Sequence, residues 1–375
     1  MKIESITCHL LSSSYSGTKI HGQSGGLKTI AIIESQSEGH SGLGEAYVGI
    51  YVPEITKSIV DSISPLIKGL ELDEALDFVS KLRLPFVSNA GIYRSVIGAM
   101  EISLFDLKAK IKDVPLYQLF SETAYLPELY ISGGSVITNL KDLESDLQNV
   151  TDNNIGSFKM RVGKNLWEDD LERVRWVRNL EPNINLMVDA IAGTRTPSWT
   201  LEESISRFRN LENLGLLWLE EPLPPENIDE YNLLAKDIKI PIAAGEAYSS
   251  LTEFYALVIH GKIDIVQFDV TQSGGINICQ KIHQVASSRG RKSAFHVWGS
   301  LVAQLANFHL ALSMKDLYFF EVPLLKLDLD FKLGRDMNNH LDYFRTIPEK
   351  PGIGLNIDLS LIQDYGFIKG SQYQW

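Results

Sequence analysis

The sequence predicts an α/β fold in which a barrel of repeated βα units follows an α+β N-terminal module. Between about residues 126 and 321, eight short apolar runs alternate with longer amphipathic segments, a pattern typical of parallel strands joined by helices. The preceding residues carry strand-like segments followed by helical periodicity. Repeated βα units with right-handed crossovers close most readily as a (β/α)8 barrel, with a doubly wound open sheet as the alternative.

The composition excludes several classes of protein. The chain has 375 residues, 44% of them hydrophobic, which is enough for a large core and two domains. Its 47 acidic and 35 basic residues give a formal net charge of −12, so we expect no nucleic-acid partner. Cys8 and Cys279 match no CxxC spacing, which argues against disulfides or a thiolate metal site and favours a reducing cytoplasm. No run approaches the roughly 18 apolar residues of a membrane span, so we expect no membrane association.

The N-terminal module begins with two strand-like segments, MKIESITCHLL and LKTIAIIES, followed by GLGEAY. Helical periodicity starts at Pro53, a residue that suits the first turn of a helix. A later helix, IYRSVIGAMEISLFDLKAKIKD, is predicted to be a core element because one apolar stripe runs along it. The stripe consists of Ile97, Met100, Leu104, Leu107 and Ile111.

Each predicted barrel strand is a short apolar run. The runs are LYISGG, SFKMRVG, INLMVDA, GLLWLEEP, IPIAAGE, DIVQFDV, KSAFHVW and LYFFEVP. Intervening segments such as LWEDDLERVRWVRNL have helical spacing and acidic first turns. From about Val322 the periodicity weakens, and this tail is expected to fold back onto the N-terminal module. We therefore expect an α+β domain at 1–125, a barrel at 126–321 and a C-terminal segment at 322–375.

Polar residues stand at the ends of these apolar runs. Because the C-terminal ends of parallel barrel strands converge on one face, these side chains should share a small volume. They are Lys159, Arg161, Asp189, Glu220, Glu246, Asp269, His296 and Glu321.

Three of these residues are carboxylates on consecutive strands, Asp189, Glu220 and Glu246. Crowded at one rim, they would repel each other unless a cation neutralised them. All-oxygen ligation favours Mg²⁺, with Mn²⁺ as a substitute. The alternative for any single carboxylate is a helix cap or a solvated strand end.

Asp269 and His296 lie on adjacent predicted strands, where a hydrogen bond between them would fix the imidazole tautomer and make His296 a general base. A structural hydrogen-bond donor is the alternative for a histidine at a strand end. Lys159 and Arg161 have the same parity on one strand and face the same side of it. They can point at the substrate of the metal or, alternatively, balance an acidic surface.

The ordered set of motifs resembles the enolase superfamily, and within it the mandelate racemase and muconate lactonizing enzyme branch. GLGEAY and the AMEISLFDLKAK helix resemble that family's α+β capping domain. The resemblance implies a modified (β/α)7β TIM-like barrel and an essential Mg²⁺ held by Asp189, Glu220 and Glu246. It further implies that a base removes the proton α to a substrate carboxylate to give an ene-diolate. Asp269 and His296 match the family's dyad, and Glu321 matches the acid that hydrogen-bonds the other carboxylate oxygen.

Two departures from the family pattern bear on the reaction. Where mandelate racemase-like members have Lys-x-Lys, this chain has Lys159-Met160-Arg161, and a guanidinium is a poor base. The family's Asp-x-Asn is here Asp189-Ala190-Ile191. Racemisation needs two bases on opposite faces, whereas one histidine can serve dehydration as base and then as acid. The arginine therefore favours dehydration of a small carboxylate substrate, by resemblance a sugar acid (an aldonate or aldarate), to a 2-keto-3-deoxy acid.

Other hypotheses stay open from the sequence. A racemase, an epimerase or a cycloisomerase would use the same intermediate. Lys159 could instead form a Schiff base in an aldolase-like barrel, and a metal-binding pseudoenzyme would explain the missing second base. The distal end of the substrate is expected to meet the stretch from Gly17 to Lys28, which can close as a lid with His21 and Gln23 as polar contacts. A disordered glycine loop is the alternative there. We also expect a homo-oligomer.

Overall fold

Two separate β-sheets organise the chain. In the computed structural model, a three-stranded sheet and a closed eight-stranded barrel make up the strands of the described residues. The predicted barrel is confirmed, and the doubly wound open sheet is wrong because the last barrel strand pairs with the first. The structure describes residues 1–15, 26–135, 139–163, 166–194, 197–334 and 340–371.

The N-terminal module combines an antiparallel sheet with helices. Its strands are paired in the order β1, β2, β3; they span Ser5–Ser14 (β1), Leu27–Ser37 (β2) and His40–Glu45 (β3). Three helices follow, at Pro53–Ile67 (α1), Leu72–Lys81 (α2) and Ile92–Ile111 (α3). The predicted helix start at Pro53 is confirmed, since the proline occupies the first turn, where its missing N–H costs nothing.

Helix α3 is the core element that its apolar stripe predicts. Ile97, Met100, Leu104 and Leu107 are buried, and Ile111 packs against the same cluster. The helix lies directly on β3, where a Cβ at Gly44 would come within 2.2 Å of the Ala99 carbonyl oxygen. Glycine at this position therefore allows the close approach of helix and strand.

The barrel strands coincide with the eight predicted apolar runs and pair in parallel. They are Leu129–Ser132 (β4), Ser157–Arg161 (β5), Asn185–Asp189 (β6), Trp218–Glu220 (β7), Ile242–Ala244 (β8), Ile265–Phe268 (β9), Lys292–Phe295 (β10) and Phe319–Pro323 (β11). Apolar side chains that point inward, among them Tyr130, Trp218 and Phe319, fill the barrel interior. The barrel is therefore a packed core that leaves its rim for chemistry.

One α-helix follows each of the first seven barrel strands in the described residues. They are Leu140–Asp152 (α4), Trp167–Leu180 (α5), Leu201–Arg209 (α6), Ile228–Asp237 (α7), Leu251–His260 (α8), Ile276–Ser288 (α9) and Leu301–Leu312 (α10). This is the (β/α)7β arrangement that the resemblance implies. The described residues also include short 3₁₀ helices at Tyr47–Ile50, Leu116–Leu119, Ala192–Thr194 and Glu212–Leu214.

The C-terminal segment lies against the N-terminal sheet. A β-bridge joins Leu11 to Gly366, and the hydroxyls of Ser12 and Ser371 lie 2.8 Å apart. The division at residues 125 and 321 stays a prediction, which these contacts support. Helices of the segment span Asp328–Leu333 (α11), His340–Tyr343 (α12) and Leu359–Asp364 (α13). None of the helices in the described ranges combines the length and the hydropathy needed to cross a membrane.

Candidate metal centre and active site

The C-terminal ends of consecutive barrel strands bring the predicted site residues to one rim. Register pairs Arg161 with Asp189 and Asp189 with Glu220, so these residues lie at one level on β5, β6 and β7. Glu246 follows β8 by two residues, and Asp269 and His296 come directly after β9 and β10. Lys159 lies within β5 and Glu321 within β11. His21 and Gln23 lie outside the described residues.

Three carboxylates converge at this rim. Asp189, Glu220 and Glu246 each place an oxygen so that the three atoms lie within 4.8 Å of one another. Burial raises the pKa of Asp189 and of Glu220, so the pair resists full ionisation without a nearby positive charge. Oxygen donors from carboxylates at this spacing are the donor set that a hard divalent cation takes. The residues fit a metal ion.

Glu220 is held by three donors. Trp218 Nε1 donates to Oε2 at 3.0 Å, Gln267 Nε2 donates to the same oxygen at 2.7 Å, and Lys159 Nζ contacts Oε1. Our sequence analysis missed Trp218 and Gln267. Strand parity is the signal that would have found them, because each stands two residues before a site carboxylate and so shares its inward face.

Lys159 is a cation that lies among several carboxylate side chains. Its Nζ is 3.1 Å from Glu321 Oε1 and 4.0 Å from Asp189 Oδ2, besides its contact with Glu220. Burial alone would lower the pKa of Lys159, but the surrounding carboxylates raise it. These carboxylates therefore favour the protonated ammonium, a form that can act neither as a nucleophile for Schiff-base formation nor as a base.

Arg161 lies beside the same carboxylates. Its Nε is 3.6 Å from Asp189 Oδ2, and its Nη2 donates to Ser132 Oγ at 3.3 Å. Burial acts to lower the pKa of Arg161, yet the charge of Asp189 raises it. A guanidinium in this position supplies positive charge and directional donors, and it accepts no proton.

His296 and Asp269 form a hydrogen-bonded pair, with Nδ1 3.2 Å from Asp269 Oδ2. Its other ring nitrogen, Nε2, is 3.4 Å from Glu246 Oε2 and thus faces the carboxylates. Burial opposes protonation, but Glu246 and Asp269 raise the pKa of His296 to about 9. Asp269 thus orients the ring through Nδ1, and Nε2 points toward the carboxylates of the site.

Asp269 is itself fixed by neighbours that sequence analysis did not identify. Its Oδ1 accepts from Thr271 Oγ1 at 2.7 Å and from Asn307 Nδ2 at 2.8 Å. Asn307 lies in the middle of α10, and its distance from β9 depends on how helix and strand pack. No local sequence pattern predicts such a contact.

Glu321 contacts both Lys159 and the backbone directly after His296. Oε1 contacts Lys159 as described, and Oε2 accepts from Val297 N at 2.9 Å. Burial would raise its pKa, but Lys159 and His296 outweigh that effect and lower the pKa of Glu321 to about 2. In this arrangement Glu321 is ionised and accepts hydrogen bonds. Donating one to a substrate carboxylate requires that the arriving negative charge first raise its pKa.

The N-terminal module closes the rim from above through the GLGEAY segment. Glu45 accepts from Ser300 N at 3.1 Å and from Ser300 Oγ, which caps the start of α10. The Tyr47 ring meets the His296 ring edge-on at 5.9 Å between centroids. A cavity lies between rim and module, lined among others by Tyr15, Lys28, Ser132, Arg161, Trp298 and Glu321.

A barrel with three metal-competent carboxylates and a histidine–aspartate pair at its C-terminal rim defines a class of metal-assisted enzyme site. A sequence model of the family described as enolase C-terminal domain-like matches residues 142–361. The chain belongs to this family, and the predicted mandelate racemase and muconate lactonizing enzyme branch of the enolase superfamily is confirmed. The expectation of an enzyme of this type is confirmed with it.

Relatives align with between about half and nine-tenths of the chain. It is 27% identical over 351 residues to arabinonate dehydratase of Saccharolobus solfataricus, covering 90% of this chain and 91% of that protein. It is 34% identical over 212 residues to L-talarate/galactarate dehydratase of Salmonella typhimurium, covering 56% and 52%. The structure of L-talarate dehydratase from Polaromonas sp. JS666 with Mg and L-glucarate superposes with a TM-score of 0.80 at 24% identity, covering 97% of both chains. That likeness confirms the fold.

Proposed function

We propose that this protein is a Mg²⁺-dependent dehydratase of a sugar acid, an aldonate or an aldarate, which it converts to a 2-keto-3-deoxy acid. The observation that carries the proposal is the asymmetry of the site. His296 offers a ring nitrogen to it, whereas Lys159 and Arg161 are held as cations by Asp189 and its neighbours. The names of two relatives, arabinonate dehydratase and L-talarate/galactarate dehydratase, support the same reaction class.

Asp189, Glu220 and Glu246 would hold the Mg²⁺, and Mn²⁺ would substitute because it accepts the same oxygen donors. When bound, the ion supplies positive charge that stabilises the negative charge on a substrate carboxylate as its α-proton leaves. Lys159 adds fixed positive charge at the same rim. Trp218 and Gln267 keep Glu220 in one orientation, so the ligand geometry is prepared before substrate arrives.

His296 acts as the base at Nε2. The charge of Glu246 is the main cause that raises the pKa of His296, and a cation bound by Glu246 would offset that charge and favour the neutral ring. In the neutral ring Asp269 accepts from Nδ1–H, so the lone pair lies on Nε2 and faces the substrate. Removing the α-proton leaves His296 as an imidazolium. The same nitrogen then returns the proton to the departing β-hydroxyl, which leaves as water.

Dehydration needs a single group that acts first as base and then as acid, and His296 supplies it. Racemisation or epimerisation requires a second base on the opposite face, where the Arg161 guanidinium stays protonated. Cycloisomerisation would use His296 alone and is distinguished by its product. The prediction of a homo-oligomer stays open to a direct mass measurement by light scattering.

The proposal is tested by screening aldonic and aldaric acids for 2-keto-acid formation in the presence of Mg²⁺. We expect turnover by the wild type, a loss of about a thousandfold or more in His296→Asn, and loss on exhaustive chelation with recovery on adding Mg²⁺. The variant should still bind Mg²⁺, which separates lost chemistry from lost folding.

Two outcomes would overturn this function. Deuterium from solvent in recovered, inverted substrate without any keto acid would identify a racemase or epimerase. Ligands that raise the melting temperature of the protein but are never consumed would identify a pseudoenzyme.

A further inference from the structure

Lys28 is a buried cation that faces the cavity from the N-terminal module. It lies near the start of β2 and is 3% exposed. Its Nζ lies 5.0 Å from the centroid of the Trp298 ring and 6.0 Å from that of Tyr15, and all three residues line the cavity. In the described part of the chain, no carboxylate oxygen lies within 4.0 Å of this ammonium. Aromatic faces attract a cation but leave its N–H donors unused.

Lys28 could simply balance the buried acids whose charges act on it, Glu45, Asp330 and Asp269. Each of these carboxylates accepts hydrogen bonds from other residues, those to Asp269 having been described above. Glu45 receives Ser300, as described, and Asp330 accepts from Leu301 N at 2.7 Å and from Leu327 N at 3.0 Å. Burial lowers the pKa of Lys28 to about 8 despite these acids. Burial thus outweighs the effect of these acids on Lys28, and an anion in direct contact with the ammonium would offset more of the cost of burying it.

The cavity reaches from this cation to the reacting end of the site. Arg161 borders both regions, because its Nε is 3.6 Å from Asp189 and its guanidinium carbon is 5.7 Å from the centroid of the Trp298 ring. The anionic residue on the cavity wall, Glu321, is already paired with Lys159 at 3.1 Å. At the end of the cavity near Lys28, no acidic side chain of the described residues makes a direct contact with the ammonium, although Glu45, Asp330 and Asp269 act on its charge from farther away.

We propose that Lys28 binds a second carboxylate at the end of the substrate remote from His296, so that the substrate is a dicarboxylic sugar acid, an aldarate. This inference rests on the proposed function and narrows it. An aldonate carries a neutral hydroxymethyl group at that end, which leaves the Lys28 charge unpaired. A charge-assisted contact to a buried ammonium favours the diacid, whereas a hydroxyl gains far less.

The test measures binding without turnover. In a His296→Asn background with Mg²⁺, calorimetry compares matched acids such as galactarate and galactonate, which differ at C6 alone, together with other five- and six-carbon pairs. We expect an aldarate to bind about tenfold or more tightly than its matching aldonate. Lys28→Met should abolish the difference by weakening the aldarate only, and Lys28→Arg should retain it.

Lys326→Met is the matched control. Lys326 is half-buried, its buried Nζ has no hydrogen-bond partner in the described structure, and it is not among the residues that line the cavity. We expect this variant to keep the preference for the diacid. The inference is overturned if Lys28→Met weakens both acids equally, if the background binds aldonates as well as aldarates, or if it binds no sugar acid. Discrimination that persists although wild type forms no keto acid would leave this inference standing while the dehydratase proposal fails.

Discussion

Glu220 shows how individual residues of this barrel hold a carboxylate of the proposed metal site in one orientation. Its two oxygens are divided between a lysine on one side and two neutral donors, Trp218 and Gln267, on the other. The sequence predicted the carboxylate because it ends an apolar run, and it predicted the His296–Asp269 contact because the strands are neighbours. The sequence could not predict the hydrogen bond from Asn307 to Asp269, since that contact depends on the packing of α10.

Trp218→Phe tests the support of Glu220. The change keeps an aromatic ring in the barrel interior and removes the Nε1–H that donates to Glu220 Oε2 at 3.0 Å. We expect Mg²⁺ affinity to fall by about tenfold, the lower end of the range for losing an outer-shell partner. Calorimetric titration with Mg²⁺ measures it. The control is Trp167→Phe on α5, whose indole nitrogen has no partner in the described structure; equal affinity losses in both variants would refute a positioning role for Trp218.

At the scale of elements, strand ends and helix starts bring the N-terminal module and the barrel into contact. Glu45 at the end of β3 caps α10, and Glu101 on α3 caps α9 by accepting from Asn277 N at 3.2 Å and from Asn277 Nδ2 at 2.7 Å. The element types and order were predictable from periodicity. These caps were not, because an acid within a helix gives no sign of the distant helix terminus that it will meet.

Glu101→Gln tests the energetic cost of such a cap. Burial raises the pKa of Glu101 to about 7, well above the roughly 4.3 of an exposed glutamate. Its contribution to the free energy of unfolding is therefore most favourable below about pH 4.3 and is lost as pH rises through about 7. Relative to the variant, the wild type should lose on the order of 1–3 kcal/mol between pH 5 and pH 8.

Urea unfolding of both proteins at the two pH values measures this difference. Glutamine cannot ionise, so charges elsewhere cancel in the comparison. The exposed Glu172 on α5 provides the control, and Glu172→Gln should change stability equally at both pH values. A difference between wild type and Glu101→Gln that does not vary with pH would show that folding does not raise the pKa of Glu101.

At the scale of the whole molecule, the barrel gathers residues from positions 159 to 321 at one rim, and the N-terminal module covers it. Alternation of apolar and amphipathic segments was sufficient to predict the barrel, and strand ends were sufficient to predict its polar rim. The cavity between the barrel and the N-terminal module could not be predicted from the sequence. Its lining residues Lys28, Trp298 and Arg161 come from separate segments, and their proximity depends on how the module packs on the barrel. His21 and Gln23, the residues predicted for that region, lie outside the described residues.

The central claim is that Asp189, Glu220 and Glu246 together bind one divalent cation on which activity depends. Anomalous scattering from crystals of the protein grown with Mn²⁺ tests it most directly. The account predicts one strong peak bounded by oxygens of these three side chains, and its absence in Glu246→Gln crystals grown under the same conditions. Wild-type crystals with no peak between the three carboxylates, or with the ion bound elsewhere on the chain, would contradict it.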